Sequence, residues 1–258
     1  MSDQASAAST LAAAAPSEAF NKCETVKNRA ITQCPRVVFL LEAIRKLGCN
    51  VGDAPEKTFV SCTKLDETKA GGFQLQGSED PHIFLSEDIA VSLGARQVEQ
   101  TLVHELVHAF DQCRAKVTWE NLLHHACTEV RASALSGECD LVEEVNRGIM
   151  RKIGGQGEAC VRRRAELSVA MNPSCRTVTA GAGSQSIQSG QNSSSSSSAS
   201  TNTMATTNGV HPAVAAQAAA AVAATEEENL RARLKAKAAV DAVFDRCYYD
   251  TAPFDRMP

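Results

Sequence analysis

The chain has 258 residues, with 26 Lys plus Arg against 30 Asp plus Glu and a formal net charge of -4. It has no basic excess to neutralise phosphates, which argues against nucleic-acid binding by charge alone. No apolar run reaches the roughly 18 residues a membrane-spanning helix needs, so the sequence reads as at most surface-bound to a bilayer. The 4% aromatic content averages two unlike parts. Residues 177–225 contain no Asp, Glu, Lys, Arg, Cys or aromatic residue, and the other 209 have ordinary globular composition.

In chain order, residues 1–17 are Ala/Ser-rich and are expected to be a disordered tail. From Ser17 to Leu47 the spacing predicts a helix with Val37, Leu40, Leu41 and Ile44 on one face and Gly48 as its stop. Thr58–Cys62, Gly72–Gln76 and His82–Leu85 read as short strands, with Gly71-Gly72 as a turn. Ala95–Cys113 reads as a strong helix with a wide apolar face of Leu102, Val103, Leu106, Val107 and Phe110. Thr118 can cap a second helix running from Trp119 to about Leu135. Further helices are expected over Cys139–Ile153 and Glu158–Met171. The Gly/Ser-rich, poly-Ser and Ala-rich residues 177–225 read as an inserted linker, whose Ala213–Ala224 half can prolong a helix. Residues 226–258 then complete the domain begun at 18–176, with Val240, Val243, Phe244 and Cys247 on one helix side.

Ten cysteines, with no C-x-x-C pair, suit a disulfide framework in an oxidising compartment better than a zinc ribbon. Their pairing is not legible. Residues 1–20 lack Lys and Arg, unlike a secretory signal or an Arg-rich transit peptide.

His104-Glu105-Leu106-Val107-His108 is an H-E-x-x-H pattern. On a helix, residues i and i+4 share a face, so two imidazoles can hold one zinc ion. The glutamate between them can accept a proton from a zinc-activated water. Apolar neighbours on both sides disfavour the alternative of two solvated histidines.

Two carboxylates compete as third ligand. Asp111 shares the face but lies about 10.5 Å along the axis from His104. Glu129, on the next helix in a stripe with Leu122 and Ala126, is preferred, because a carboxylate on an apolar stripe needs a partner. The alternatives are that Glu129 pairs with Arg131 and that Asp111 orients a histidine or makes an ordinary ion pair. His125 can point at the site, and His124 or Tyr248 can assist an oxyanion, although structural roles suit all three better; Trp119 reads as packing. The segment around Ile83–Leu85 is a candidate to hold an extended substrate by strand addition.

Five motifs in order carry a wider resemblance: His-Glu-Leu-Val-His-Ala-Phe-Asp (104–111), Ala-Cys-Thr-Glu-Val-Arg-Ala (126–132), Leu-Ser-Gly-Glu-Cys (135–139), Cys-Val-Arg-Arg-Arg-Ala (160–165) and Ala-Val-Asp-Ala-Val-Phe-Asp-Arg-Cys (239–247), followed by Pro253-Phe254. Over residues 20–175 and 228–258 the chain resembles the mitochondrial inner membrane metalloprotease and ATP-synthase assembly factor family (Atp-twenty-three). The resemblance implies a zinc endopeptidase of the intermembrane space, peripheral to the inner membrane, that matures the subunit a precursor and helps assemble the Fo sector. It implies His104 and His108 as ligands and Glu105 as catalytic acid/base. A cysteine-rich protein of that compartment can be imported without a cleaved presequence. The 177–225 insertion has no counterpart in the family pattern. The rival reading is a non-proteolytic assembly chaperone for the ATP synthase membrane subunits. The expected fold is α+β and zincin-like, mostly helical, with a small sheet before the motif helix.

Overall fold

The computed structural model describes residues 16–49, 51, 59–65, 70–76, 80–92, 94–149, 155–176 and 212–257. Most of the 1–17 tail, most of the 177–225 linker, Thr58, Ile153 and His211 lie outside them.

The chain opens with helix α1 (Glu18–Gln33), whose N-cap Ser17 accepts a hydrogen bond from the Phe20 amide. Pro35 then interrupts what the apolar period reads as one helix. It has no N–H to donate to a helix ladder and disfavours helical backbone at Cys34, so α2 (Pro35–Lys46) starts afresh with Pro35 in its first turn. Val37, Leu40, Leu41 and Ile44 are buried on α2 as the pattern predicts.

Three strands follow, β1 (Val60–Thr63), β2 (Gly71–Gln76) and β3 (Asp80–Ser86). They form one sheet in the order β1-β3-β2, with β1 parallel and β2 antiparallel to β3. Two expectations are corrected here. Gly71 and Gly72 form no turn; they sit in β2, where a Cβ on Gly71 would lie 2.8 Å from the Phe84 carbonyl oxygen and one on Gly72 would lie 2.4 Å from the Phe84 ring. The pair therefore lets β2 close onto β3. The strand around Ile83–Leu85 is central, with neighbours on both sides, so it has no open edge for a substrate.

After the short α3 (Glu87–Ser92), helix α4 (Ala95–Ala115) runs through the middle of the molecule and buries Val98, Leu102, Val103, Leu106, Val107 and Phe110. Helix α5 (Leu122–Leu135) starts three residues later than the sequence suggests. Asn121 caps it by accepting from the Leu123 amide, while the Thr118 amide donates to His124 Nδ1. The predicted Cys139–Ile153 helix shrinks to α6 (Leu141–Asn146), closed by Gly148 at φ 66°. Helices α7 (Gln156–Ala170) and α8 (Pro173–Arg176) precede the long α9 (Pro212–Tyr248), which begins inside the Ala-rich half of the insertion.

The apolar core has two parts. One joins α1, α2, the sheet and α4. The other joins α5, α7 and α9 through Val130, Val161, Ala165, Val169, Ala236, Val240 and Phe244. Disulfides brace both: Cys23–Cys62 ties α1 to β1 and Cys49–Cys113 ties the end of α2 to α4. Cys127–Cys247 ties α5 to α9, and Cys139–Cys160 ties the loop before α6 to α7. Cys34 and Cys175 are free. Among the described residues the molecule is mostly helical with one small sheet, an α+β arrangement.

Candidate metal centre

The site lies where α4, from the first core part, meets α5, from the second. His104 and His108 stand one turn apart on α4, with ring centroids 4.8 Å from each other. Glu129 approaches from α5, its Oε2 3.4 Å from His104 Nε2 and its Oε1 3.5 Å from His108 Nε2. One ligand atom from each of the three residues falls within 4.8 Å of the other two. The structure thus brings together the two histidines and the glutamate singled out in the sequence.

Their surroundings point each donor inward. His108 Nδ1 is 2.9 Å from Thr128 Oγ1, which leaves Nε2 for the centre. His104 Nδ1 faces Glu138 Oε1 at 3.3 Å, and Arg164 holds the other Glu138 oxygen at 2.5 Å. Glu129 Oε1 accepts from Ser168 Oγ at 2.6 Å and lies 3.2 Å from His125 Nε2. Asn172 fixes the far side of the His125 ring at 2.8 Å from Nδ1. Such outer partners set tautomer and orientation in metal sites.

The donor set also passes a test of fit. Glu129 Oε2 is buried and has no hydrogen-bond partner. A buried carboxylate oxygen left this way is costly. Two imidazole nitrogens and a carboxylate oxygen are the donors a divalent ion such as zinc takes, with a position to spare.

The electrostatics have the same origin. Burial opposes the charged form of His104, but the Glu138 and then the Glu129 carboxylates outweigh it and raise its pKa well above the usual value. Burial also opposes the Glu129 carboxylate, yet the His108 charge and the close approach of His104, His108 and His125 bring it well below the carboxylate range. Glu138, against the same penalty, is brought down to about 2 by His104 and Arg164. Glu105 behaves differently: burial dominates and raises its pKa despite both histidines. The Glu129 and Glu138 carboxylates thus favour positive charge at His104, while burial favours the protonated form of Glu105.

The other candidates fall elsewhere. Neither reading of Asp111 as ligand or histidine-orienting group holds: it turns to Arg131 Nε, 3.0 Å from both carboxylate oxygens, and to Arg114 at 3.2 Å. Arg131, paired there, is therefore not the partner of Glu129. Instead it reaches the Asp250 side chain at 2.7 Å and also the Asp250 and Ala252 carbonyls. Tyr248 stacks on Phe244, away from any oxyanion role. Trp119 packs against Phe73, His108 and His125 and donates to Gln112 Oε1. Sequence reasoning missed Glu138, Thr128, Ser168 and Asn172. Only Glu138 left a readable trace, as an acid in the Leu-Ser-Gly-Glu-Cys motif.

A helix presenting two histidines one turn apart, a glutamate between them and a third donor from the next helix defines a metallopeptidase. The Peptidase M76 family model matches residues 21–185 and 184–255. The chain belongs to that family. It is 37% identical over 155 residues to the mitochondrial inner membrane protease atp23 of Schizosaccharomyces pombe, covering 60% of this chain and 78% of that protein. It is 39% identical over 142 residues to the protein named mitochondrial inner membrane protease ATP23 in Debaryomyces hansenii, covering 55% of this chain and 56% of the relative. The protein of the same name from Meyerozyma guilliermondii is 39% identical over 155 residues, 60% of each chain. The match thus spans little more than half the length of the latter two relatives. No solved structure matches the chain.

Proposed function

We propose that this chain is a zincin-like, zinc-dependent endopeptidase of the mitochondrial intermembrane space, peripheral to the inner membrane. The convergence of His104 Nε2, His108 Nε2 and the orphaned Glu129 Oε2 carries this reading. Zinc held by these three residues would supply Lewis acidity, polarising the scissile carbonyl and lowering the pKa of a water toward about 7. Glu105 takes the water's proton on a carboxylate oxygen and returns it to the leaving amine. Burial raises its pKa above the ordinary carboxylate value, the direction a proton shuttle needs. Glu138 and Thr128 hold the two imidazoles in register, and Ser168 with His125 orients Glu129. Phe73 and Trp119 wall the centre on the His108 side.

With β3 paired on both sides, an extended substrate adds instead to the outer edge of β2, the strand that carries Phe73. The family resemblance supplies the substrate: the precursor of ATP synthase subunit a, with a second role in Fo assembly. No helix among the described residues is long and apolar enough to cross a membrane, which agrees with a peripheral enzyme.

Glu105→Gln tests the chemistry. The variant should retain about one zinc per chain and lose cleavage by at least 100-fold, the lower bound for removing a general base. Full cleavage by the variant would refute the role of Glu105. Loss of cleavage with intact ATP-synthase assembly would separate the chaperone role from hydrolysis.

A further inference from the structure

Helix α7 supplies no metal donor, yet three polar residues along it reach the partners of His104 and Glu129. Arg164, Ser168 and Asn172, the last just beyond the helix end, follow one another at i, i+4 and i+8, the spacing of one helix face. Arg164 pairs with the Glu138 that faces His104. Ser168 donates to Glu129, and Asn172 bonds the His125 ring that also meets Glu129.

Donors and acceptors along this chain of bonds follow by elimination. Asn172 Oδ1 accepts from the Ser174 amide at 2.9 Å, and Nδ2 is the atom turned to His125 Nδ1 at 2.8 Å. An amide Nδ2 only donates, so His125 Nδ1 accepts and the ring proton sits on Nε2. His125 Nε2 therefore donates to Glu129 Oε1, 3.2 Å away. Ser168 Oγ donates to that same oxygen at 2.6 Å. Two donors thus engage the two lone pairs of Oε1. Oε2, by contrast, is buried and has no hydrogen-bond partner. The two oxygens of one carboxylate are left with opposite prospects.

We propose that Ser168 is a positioning residue that makes Glu129 a one-oxygen metal ligand: with His125, itself held by Asn172, it occupies Oε1 and leaves Oε2 alone for the ion. The proposal rests on the zinc-peptidase reading above and adds the means by which that centre stays open. A carboxylate free at both oxygens can grip a cation with both. A second oxygen from Glu129 would then fill the position that a catalytic zinc keeps for water or substrate. Ser168 is the decisive member because its bond to Oε1 is the shorter of the two. It is also the member that can be removed with least harm to α7, since alanine is the better helix former.

The test replaces zinc by cobalt, whose visible absorption reports coordination number, in the full chain and in its Ser168→Ala and Ser168→Thr variants. Wild type should show the strong band of a four-coordinate ion, three protein donors and a water. Ser168→Ala should still take up one ion per chain but with a weaker band, as the freed Oε1 joins Oε2. Its cleavage of a soluble peptide should fall about tenfold or more. Ser168→Thr keeps the hydroxyl and should restore both band and cleavage. A wild-type band in Ser168→Ala would overturn the proposal whether or not cleavage falls, because a residue that merely packs leaves the ion's coordination untouched. A weak band already present in wild type would mean that both Glu129 oxygens bind, and would overturn it while leaving the metal centre standing. Failure of wild type to take up either ion would overturn the zinc-peptidase reading itself.

Discussion

Arg131→Met should destabilise the protein severely. Arg131 is 0% exposed and sits among five acceptors: both Asp111 oxygens, the Asp250 carboxylate and the carbonyls of Asp250 and Ala252. Methionine fills a similar volume and removes every one of these bonds. Asp111, itself buried, keeps only Arg114 at 3.2 Å. Leaving one partner of a buried pair costs about 3–5 kcal/mol. The lower end applies, because Arg114 remains and Asp250 is partly exposed. About 3 kcal/mol corresponds to a midpoint about 6–12 °C lower in a chain of this size. Urea unfolding under non-reducing conditions, with the disulfides intact, measures it. Adding Asp111→Leu should recover much of the loss, since a well-packed apolar pair replaces a buried ion pair at little cost. A loss below about 1 kcal/mol for Arg131→Met, or strictly additive losses in the double variant, would refute the view that this arginine locks α4 and α5 to the C-terminal segment.

Two other outcomes follow from the same geometry. Glu138→Gln should weaken zinc binding about 10- to 100-fold; competition against a chromogenic chelator reads the affinity directly, and an unchanged value would remove Glu138 from the support of His104. The Asp250 segment should release in acid. Burial opposes the Asp250 carboxylate, but the Arg114 bond and the Arg131 and Arg114 charges outweigh it and lower its pKa. A depressed folded value means this contribution is fully present above the unfolded value of about 3.9 and is lost as the pH falls through the folded one. Stability of Asp250→Asn should therefore match wild type at the acid end and fall progressively below it as the pH rises toward about 4, with the full difference above that; a constant difference through the acid range would contradict the assignment.

The parts legible in the sequence were those governed by periodicity. The i, i+4 spacing set His104 and His108 on one helix face, and the apolar stripe on α5 exposed Glu129 as a carboxylate in need of a partner. Val37, Leu40, Leu41 and Ile44 declared their burial in the same way. What escaped depends on pairs distant in sequence. Arg131 meets Asp250 across 119 residues, and Ser168 meets Glu129 across 39. Neither leaves a local pattern. Asp111 makes the ordinary ion pair that was one of its two readings, but the face it shares with His104 and His108 says nothing about which guanidinium on the facing helix it meets. The Pro35 break was hidden by an apolar period that continues through it. Gly71-Gly72 carries a turn composition but serves a close strand contact. The shortness of α6 follows from Gly148, and the burial of its Glu143 and Glu144 from arginines on α4 and α7 that no window of sequence around α6 contains.

Cys127–Cys247 spans the whole insertion from α5 to α9. A proteolytic nick anywhere from 177 to 211 would therefore leave two polypeptides still covalently joined, separable only after reduction. Among the described residues the return of the chain is secured by sulfur and by Arg131.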